Sequence, residues 1–456
     1  MHNAGRSLQL LSLVTRHSSL LTAFCLSSIS GYNERVAKVL PRLRADIDVM
    51  PSPSPEQPGL LVRDPYRYTP ALLIIPPALV PSLAFFDGEQ SDLDLKADLY
   101  RRTGQLVGSE VIENFVHALQ TNGFLETEEF HQIRESRQRE FRDAPLRVPV
   151  HAGSGYPDEP EALRMQFGEY FNSCGEPLAD PPGIVGLAAP HVSPSGGWKG
   201  YGTAYRRLAP EWSDKTFVVL GTSHYGQPER FGLTRKPFVT PLGTLEVDTR
   251  LVDWLAERSG DAILMEDYCH AIEHSIEFQC VFLQHALGAR VRILPILCGP
   301  FLQSLVSGRS PESEEDVGRF LAALGELAER EGPRLFWVLG IDLAHMGRRY
   351  GDRFAAQAEQ GRMASVREQD LGRLDRACAG DSQGFFELLH PEQDRLRWCG
   401  YSALYTFLKA VPEARGNLLH YEQWNIDPES VVSFAALEFV RDGASRKLGV
   451  RSEKVE

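Results

Sequence analysis

The chain has 456 residues, with 48 Lys and Arg against 61 Asp and Glu for a net charge of −13, 24% charged and 43% hydrophobic. At roughly 100–200 residues per domain that length predicts two or three domains, and the composition is that of a folded soluble chain rather than a disordered or membrane-embedded one. An acidic balance argues against a nucleic-acid partner, which leaves a basic footprint on the protein that binds it, while a locally held small anion stays compatible.

The seven cysteines, Cys25, Cys174, Cys269, Cys280, Cys298, Cys378 and Cys399, are odd in number and widely spread, with no C-x-x-C pair. That pattern is neither a disulfide scaffold nor a zinc-finger framework, and it points to a reducing, cytoplasmic setting. Residues 8–30 hold an apolar run that Arg16 and His17 interrupt, so it is too polar to span a bilayer and no membrane partner is expected. Residues 1–62 therefore read as a disordered leader followed by a proline-rich linker, with Met50 as an alternative start and Pro51, Pro53, Pro55 and Pro58 denying regular hydrogen bonding.

Residues 63–145 read as a small helical module. Asp87-Gly88 makes a turn before a helix near 92–103, and a second helix from Ser109 carries Val111, Ile112, Phe115, Val116 and Leu119 on one face until Gly123 stops it. A charged connector helix covers 131–142. The phrase VIENFVHALQTNGFLE within this module resembles the winged-helix, PqqD-like modules that accompany peptide-modifying and radical-enzyme systems.

Residues 146–442 read as one α/β domain, with a tail over 443–456. Apolar runs at 184–189, 217–220, 291–297 and 335–341 alternate with helical patterns near 249–258, 275–287, 314–331 and 400–410. Such alternation predicts a sheet covered by helices on both faces, with ligands bound just past the carboxyl ends of its strands. Three strands deliver a histidine there: His191 in Ala-Pro-His, His224 in Gly-Thr-Ser-His, and His345 in Asp342-Leu-Ala-His. Converging imidazoles suit a metal or a proton-transfer site.

The segment Glu273-His274-Ser275-Ile276-Glu277 opens a helix, and Ser275 as its N-cap directs Glu273 and His274 toward the same place. Glu273 and Glu277, four apart, share a face if both are helical. A capping and solubilising cluster is the equal alternative on spacing. Cys399 precedes the helix 401–410, a position that lowers a thiol pKa and favours a thiolate ligand or nucleophile.

Taken in order, VHAGSGYP (150–157), PHVSPSGGWKGYGTAY (190–205), VLGTSHYG (219–226), EHSIEFQ (273–279), GIDLAHMG (340–347), WCG (398–400) and SVVSFAALEFV (430–440) resemble the Memo family, also called AmmeMemoRadiSam system protein B, across residues 148–440. The resemblance implies a sheet flanked by helices, similar to the class III extradiol dioxygenases, with His191, His224 and Cys399 as metal ligands. It places Asp342 and His345 beside them as catalytic residues, with Glu273 and His274 close to the cavity. By ligand type the metal is iron or copper, with zinc also open.

Three departures bear on substrate shape: a loop about three residues longer through Pro194-Ser195-Gly196-Gly197, Tyr225 where a second histidine often follows His224, and Tyr401 where an arginine can follow Cys-Gly. The leading expectation is a metal-dependent, dioxygenase-like redox enzyme acting on a small-molecule or peptide substrate, with His345, oriented by Asp342, moving protons. The family name implies radical-enzyme and accessory-protein partners. A non-catalytic peptide- or ligand-binding component of that system is the alternative, and a metal-free hydrolase using Cys399 as nucleophile and His345 as base is a third reading.

Overall fold

The computed structural model describes residues 37–52, 54–175 and 183–441, so the leader (1–36) and the tail (442–456) lie outside the described residues. The chain divides into two compact units, 1–140 and 141–456.

The N-terminal unit is built on a three-stranded antiparallel sheet, Asp48–Pro51, Leu60–Arg63 and Leu72–Ile75, with the helices Asp92–Thr103 and Ser109–Thr121. Ser91 caps the first helix in a reciprocal capping box with Asp94. Gly123 ends the second with φ +71°, a conformation that glycine adopts without strain. Ile112, Phe115 and Leu119 are buried as their spacing predicts, but Val111 lies 42% exposed, one position outside the stripe.

The expected linker over 37–62 is corrected. Leu40 is buried, and the Arg44 guanidinium, 1% exposed, donates to Asp64 and to the Gly123 carbonyl. Asp48–Pro51 is hydrogen-bonded to Leu60–Arg63 as a hairpin arm, with Met50 opposite Leu61. Pro51 is compatible because it sits at the end of a strand at the sheet edge, where a ladder N–H is dispensable. A chain begun at Met50 would lack the buried Leu40 and Arg44.

In the second unit the main strands are β1 (Ile184–Ala189), β2 (Thr216–Thr222), β3 (Arg292–Cys298), β4 (Leu335–Gly340), β5 (Asp342–Gly347), β6 (Ala414–Asp427) and β7 (Ser430–Arg441). They belong to an 11-stranded sheet whose order runs β5-β7-β1-β4-β2-β3 and continues through the short strands Phe231–Leu233 and Ile263–Met265. The four central strands, β1, β4, β2 and β3, are parallel, whereas β7 is antiparallel to β1, β5 and β6. Because these strands are buried on both faces, β2 and β4 are buried along their whole length, with continuous apolar runs over Phe217–Leu220 and Leu335–Leu339 rather than alternation.

Register sets the site. Gly340 pairs with both Ala189 and Gly221, and Cys298 pairs with Thr222, so the carboxyl ends of all four parallel strands finish level. Helix α1 (His274–Leu287) packs over β2 and β4 where Gly221 and Gly340 lack side chains: a Cβ on Gly340 would stand 2.3 Å from the Ser275 carbonyl oxygen. Helices α2 (Arg362–Cys378) and α3 (Tyr401–Ala410) also bury apolar side chains in this core. Among the described residues no helix is long and apolar enough to cross a membrane, and six described cysteines are free thiols.

Candidate functional site

Two residues past β1 stands His191, buried to 1% exposure. Its Nδ1 lies 2.9 Å from the Gly340 carbonyl. A carbonyl can only accept, so Nδ1 carries the proton and Nε2 keeps its lone pair. That Nε2 faces the Cys399 Sγ at 3.1 Å and the Asp342 Oδ2 at 3.5 Å. Asp342 also accepts the His191 backbone N–H through Oδ1 at 2.9 Å, which ties the end of β1 to the start of β5.

Two residues past β2 stands His224, whose Nδ1 lies 2.9 Å from Oε1 of Glu273 while its backbone N–H donates to Oε2. Burial alone would raise the Glu273 carboxyl, but His224 and His274 outweigh it and hold that carboxyl well below the usual range. Burial opposes a charge on His224, yet Glu273 prevails and raises its pKa. An ionised carboxylate that fixes one imidazole nitrogen leaves the other directed outward, the arrangement found behind metal-binding histidines.

Glu273, not Ser275, is the N-cap of α1: its side chain accepts from the N–H groups of His274 and Ser275. The expected Ser275 cap is thereby corrected, because Ser275 lies inside the helix and its hydroxyl donates instead to the Thr222 carbonyl at 2.7 Å. Glu273 and Glu277 serve different partners. Glu277 pairs with the buried Arg147 and accepts from Tyr156 and from the N–H groups of Val150 and His151.

The geometry gathers His191, His224 and His274 into one group, with one ring nitrogen from each lying within 4.8 Å of the others. The His274 and His224 rings stack at 4.8 Å, and the His274 Nδ1 is 3.2 Å from the same Glu273 oxygen. Cys399 approaches this group through His191. On the solvent side the His224 and His274 side chains are 25% and 28% exposed, so a ligand can enter there.

His345 sits on β5. Its Nδ1 lies 3.0 Å from the carbonyls of both Leu343 and Arg397, so two backbone oxygens orient the ring and the expected orientation by Asp342 is corrected. Burial and the nearby His191 and His224 outweigh Asp342 and push His345 down to about 4, leaving it neutral at pH 7 with Nε2 unprotonated. Burial, opposed by His345, pushes Asp342 up to about 6, and burial with His224 pushes His191 down to about 3.

The expected low pKa of Cys399 is also corrected: burial and the adjacent Asp342 push its thiol well above the ordinary value. The helix it precedes begins only at Tyr401, and the Sγ lies against the Asp342 carbonyl oxygen at 3.7 Å. Such a thiol is a poor nucleophile, which weighs against the metal-free hydrolase reading. Tyr401 does not reach the site, because its hydroxyl is buried and accepts the Phe301 N–H at 2.7 Å.

The donor set fits a transition-metal ion: two imidazoles whose Nδ1 protons are committed elsewhere, a thiol against one of them, and the buried Asp342 carboxylate beside them. Sequence reading missed the role of Glu273 as the acceptor that fixes His224. The signal was present in a carboxylate immediately before an imidazole-bearing helix start.

A family model described as "Memo-like protein" matches residues 147–438. Relatives named "MEMO1 family protein" include one from Aquifex aeolicus, 27% identical over 384 residues, covering 83% of this chain and 95% of that protein. One from Thermococcus kodakarensis is 30% identical over 309 residues, covering 65% of this chain and 100% of its own. One from Thermus thermophilus is 27% identical over 334 residues, covering 72% and 91%. The Aquifex alignment is longer than the family span, and so few residues follow 438 that it must extend into the N-terminal unit. An Escherichia coli K12 structure, "uncharacterized protein JW3007", aligns over 56% of this chain and 99% of its own at 12% identity and a TM-score of 0.34.

Proposed function

The chain belongs to the Memo family, and from that premise and the geometry of its site we propose that it is a metal-dependent, dioxygenase-like redox enzyme acting on a small or peptide-borne substrate. The observation that carries the proposal is the pairing of His191 Nε2 with Cys399 Sγ beside a His224 whose other nitrogen is fixed by an ionised Glu273. His191, His224 and Cys399 are the proposed ligands, with His274 within reach as a further nitrogen donor.

Imidazole and thiolate donors together suit iron or copper, and zinc fits the same set. A redox-active ion at this place supplies Lewis acidity and electron transfer. The chain's own residues do the rest. The carbonyls of Gly340, Leu343 and Arg397 hold the ring tautomers of His191 and His345. His345 is unprotonated but, pushed down to about 4, is a weak base that accepts a proton only from a strongly acidified group, whereas Asp342, near 6, can exchange a proton close to neutral pH. The likeness to extradiol dioxygenases is part of this proposal and rests on the family resemblance.

The test is oxygen consumption by protein loaded with iron or copper under anaerobic conditions and then offered catechols and thiols. Uptake that requires both metal and substrate, and that is lost in His345→Gln, supports the reading. Uptake at the rate of the free metal contradicts it.

A second reading, a peptide-binding component that works beside a radical enzyme, draws on the N-terminal unit. Among the described residues its strand Leu72–Ile75 is paired along one side only, and a free strand edge can accept an extended peptide. Co-purification of the full chain and of a variant with proline at Ile74 tests it, since loss of a bound peptide only in the variant is the expected result.

A further inference from the structure

We propose that Asp370, a residue outside the site, positions both Cys399 and the Asp342–His345 strand, so that one buried carboxylate sets the spacing of the metal centre. The proposal rests on the metal-site reading above for its function, but its geometry stands without a metal. Asp370 lies on α2 and has no exposed surface. Three side chains donate to it: the Trp398 Nε1–H to Oδ1 at 2.6 Å, and the hydroxyls of Ser433 and Tyr421 to Oδ2 at 2.6 and 2.8 Å.

Each of the first two donors leads to a segment that builds the site, the first to the ligand Cys399 and the second to the Asp342–His345 strand. Trp398 immediately precedes Cys399. The Ser433 oxygen also accepts the Ala344 N–H at 2.9 Å. Ala344 falls within the register shift between Asp342 and His345, where the pairing of β5 with β7 is interrupted and an N–H needs a partner from outside the ladder. The carboxylate thus grips the Cys399 loop directly and the Asp342–His345 bulge through one hydroxyl.

The loop needs such a grip. Gln393, Asp394 and Arg397 have φ of +49°, +51° and +55°, in the left-handed region that disfavours side chains and that persists only where the surroundings enforce it. One turn beyond Asp370, Arg373 reaches the Asp394 carboxylate at 3.3 Å and the Leu388 carbonyl at 3.4 Å. The pinned loop then orients His345, whose backbone N–H donates to the Leu396 carbonyl at 2.8 Å, while the Arg397 guanidinium donates to the His345 carbonyl at 2.9 Å. A carboxylate is required because three donors converge and an amide would turn an N–H₂ group toward one of them.

The experiment compares wild type with Asp370→Asn by mass-spectrometric timing of iodoacetamide labelling in the metal-free full chain, and by cobalt(II) titration followed through the thiolate-to-cobalt absorption band. Cys298, fully buried, with its carbonyl accepting from Ser402 on α3, is the internal control for general loosening. The expected result is labelling of Cys399 faster by roughly tenfold or more with Cys298 unchanged, as follows from losing a hydrogen bond to a buried charge. Cobalt affinity should fall ~10- to 100-fold with a weakened thiolate band. If Asp370→Asn does not fold, Trp398→Phe removes the indole N–H and allows the same comparison.

An unchanged Cys399 rate, or an equal rise at Cys298, overturns the positioning role. A wild type that takes up no cobalt contradicts the metal reading instead, and the labelling still decides whether Asp370 positions Cys399.

Discussion

The Sγ of Cys399 and the Nε2 of His191 stand 3.1 Å apart although 208 residues separate them in the chain. Each is delivered by a different element: His191 by the end of β1 and Cys399 by the loop before α3. Bringing them together depends on Asp342, which accepts the His191 N–H through Oδ1 and whose carbonyl accepts the Gly400 N–H at 3.0 Å.

Replacing Glu273 by Gln removes the charge that fixes His224 while nearly keeping the volume. Metal affinity is expected to weaken ~10- to 100-fold, as when an outer carboxylate is lost behind a ligating histidine. The weakened cap of α1 should cost about 1 kcal/mol of stability. Calorimetric metal titration and thermal unfolding measure the two effects separately, and an unchanged affinity would show that Glu273 acts only as a cap.

Gly400→Ala tests the close approach of the Cys399 loop to the strand ends. A Cβ there would meet the Ile341 Cβ at 2.5 Å and the Asp342 carbonyl oxygen at 2.7 Å, so backbone has to move. A loss of ~1–3 kcal/mol is expected, together with weaker metal binding, in denaturant titrations with and without metal. Metal-bound and metal-free protein losing stability equally would mean that the displaced loop carries no ligand.

Acid should destabilise the metal-free protein. His191, pushed down to about 3, and His345, pushed down to about 4, stay neutral in the folded state, whereas in the unfolded chain they take up protons below the ordinary histidine value of about 6.5. Their contribution to stability therefore falls as pH drops from about 6.5 toward 4. Asp342 and Asp394, both raised to about 6, work oppositely and offset two such groups below that pH, while His270 and His274, which burial likewise holds below the ordinary value, add to the loss. The net slope remains a loss on acidification, on the order of 1.4 kcal/mol per pH unit for one uncompensated group. Urea unfolding at pH 7, 6 and 5 measures it, and a flat profile would contradict the buried neutral state of these imidazoles.

Phe282→Ala separates core from site. Phe282 is fully buried and stacks on Phe167 at 4.0 Å and on Tyr201 at 4.2 Å. About 3–5 kcal/mol of stability should be lost, with unchanged metal stoichiometry in the fraction that remains folded. A change in stoichiometry would show that the aromatic stack helps to shape the centre.

The central strands and the helix at 315–331 were legible because continuous apolar runs and helical spacing are strong local signals. His191 and His224 followed from the rule that ligands gather past the carboxyl ends of parallel strands, whereas His345 lies inside β5, a separate strand antiparallel to β7. What stayed hidden depended on partners distant in sequence. Helix α2 buries Asp370 and Arg373 where its period demands apolar residues, so the charges masked its stripe. Strand β6 is half-buried and rich in polar residues, which blurs the alternation. The raised pKa of Cys399 comes first from burial and then from Asp342, 57 residues earlier, neither of which local helix position could reveal.

The central claim, that His191, His224 and Cys399 hold a metal, is tested most directly by elemental analysis of protein purified without added metal, alongside His191→Ala and Cys399→Ser. About one equivalent of iron or copper in the wild type, falling well below one in both variants while their circular dichroism is unchanged, is the expected result. Full retention of one equivalent in both variants would contradict it.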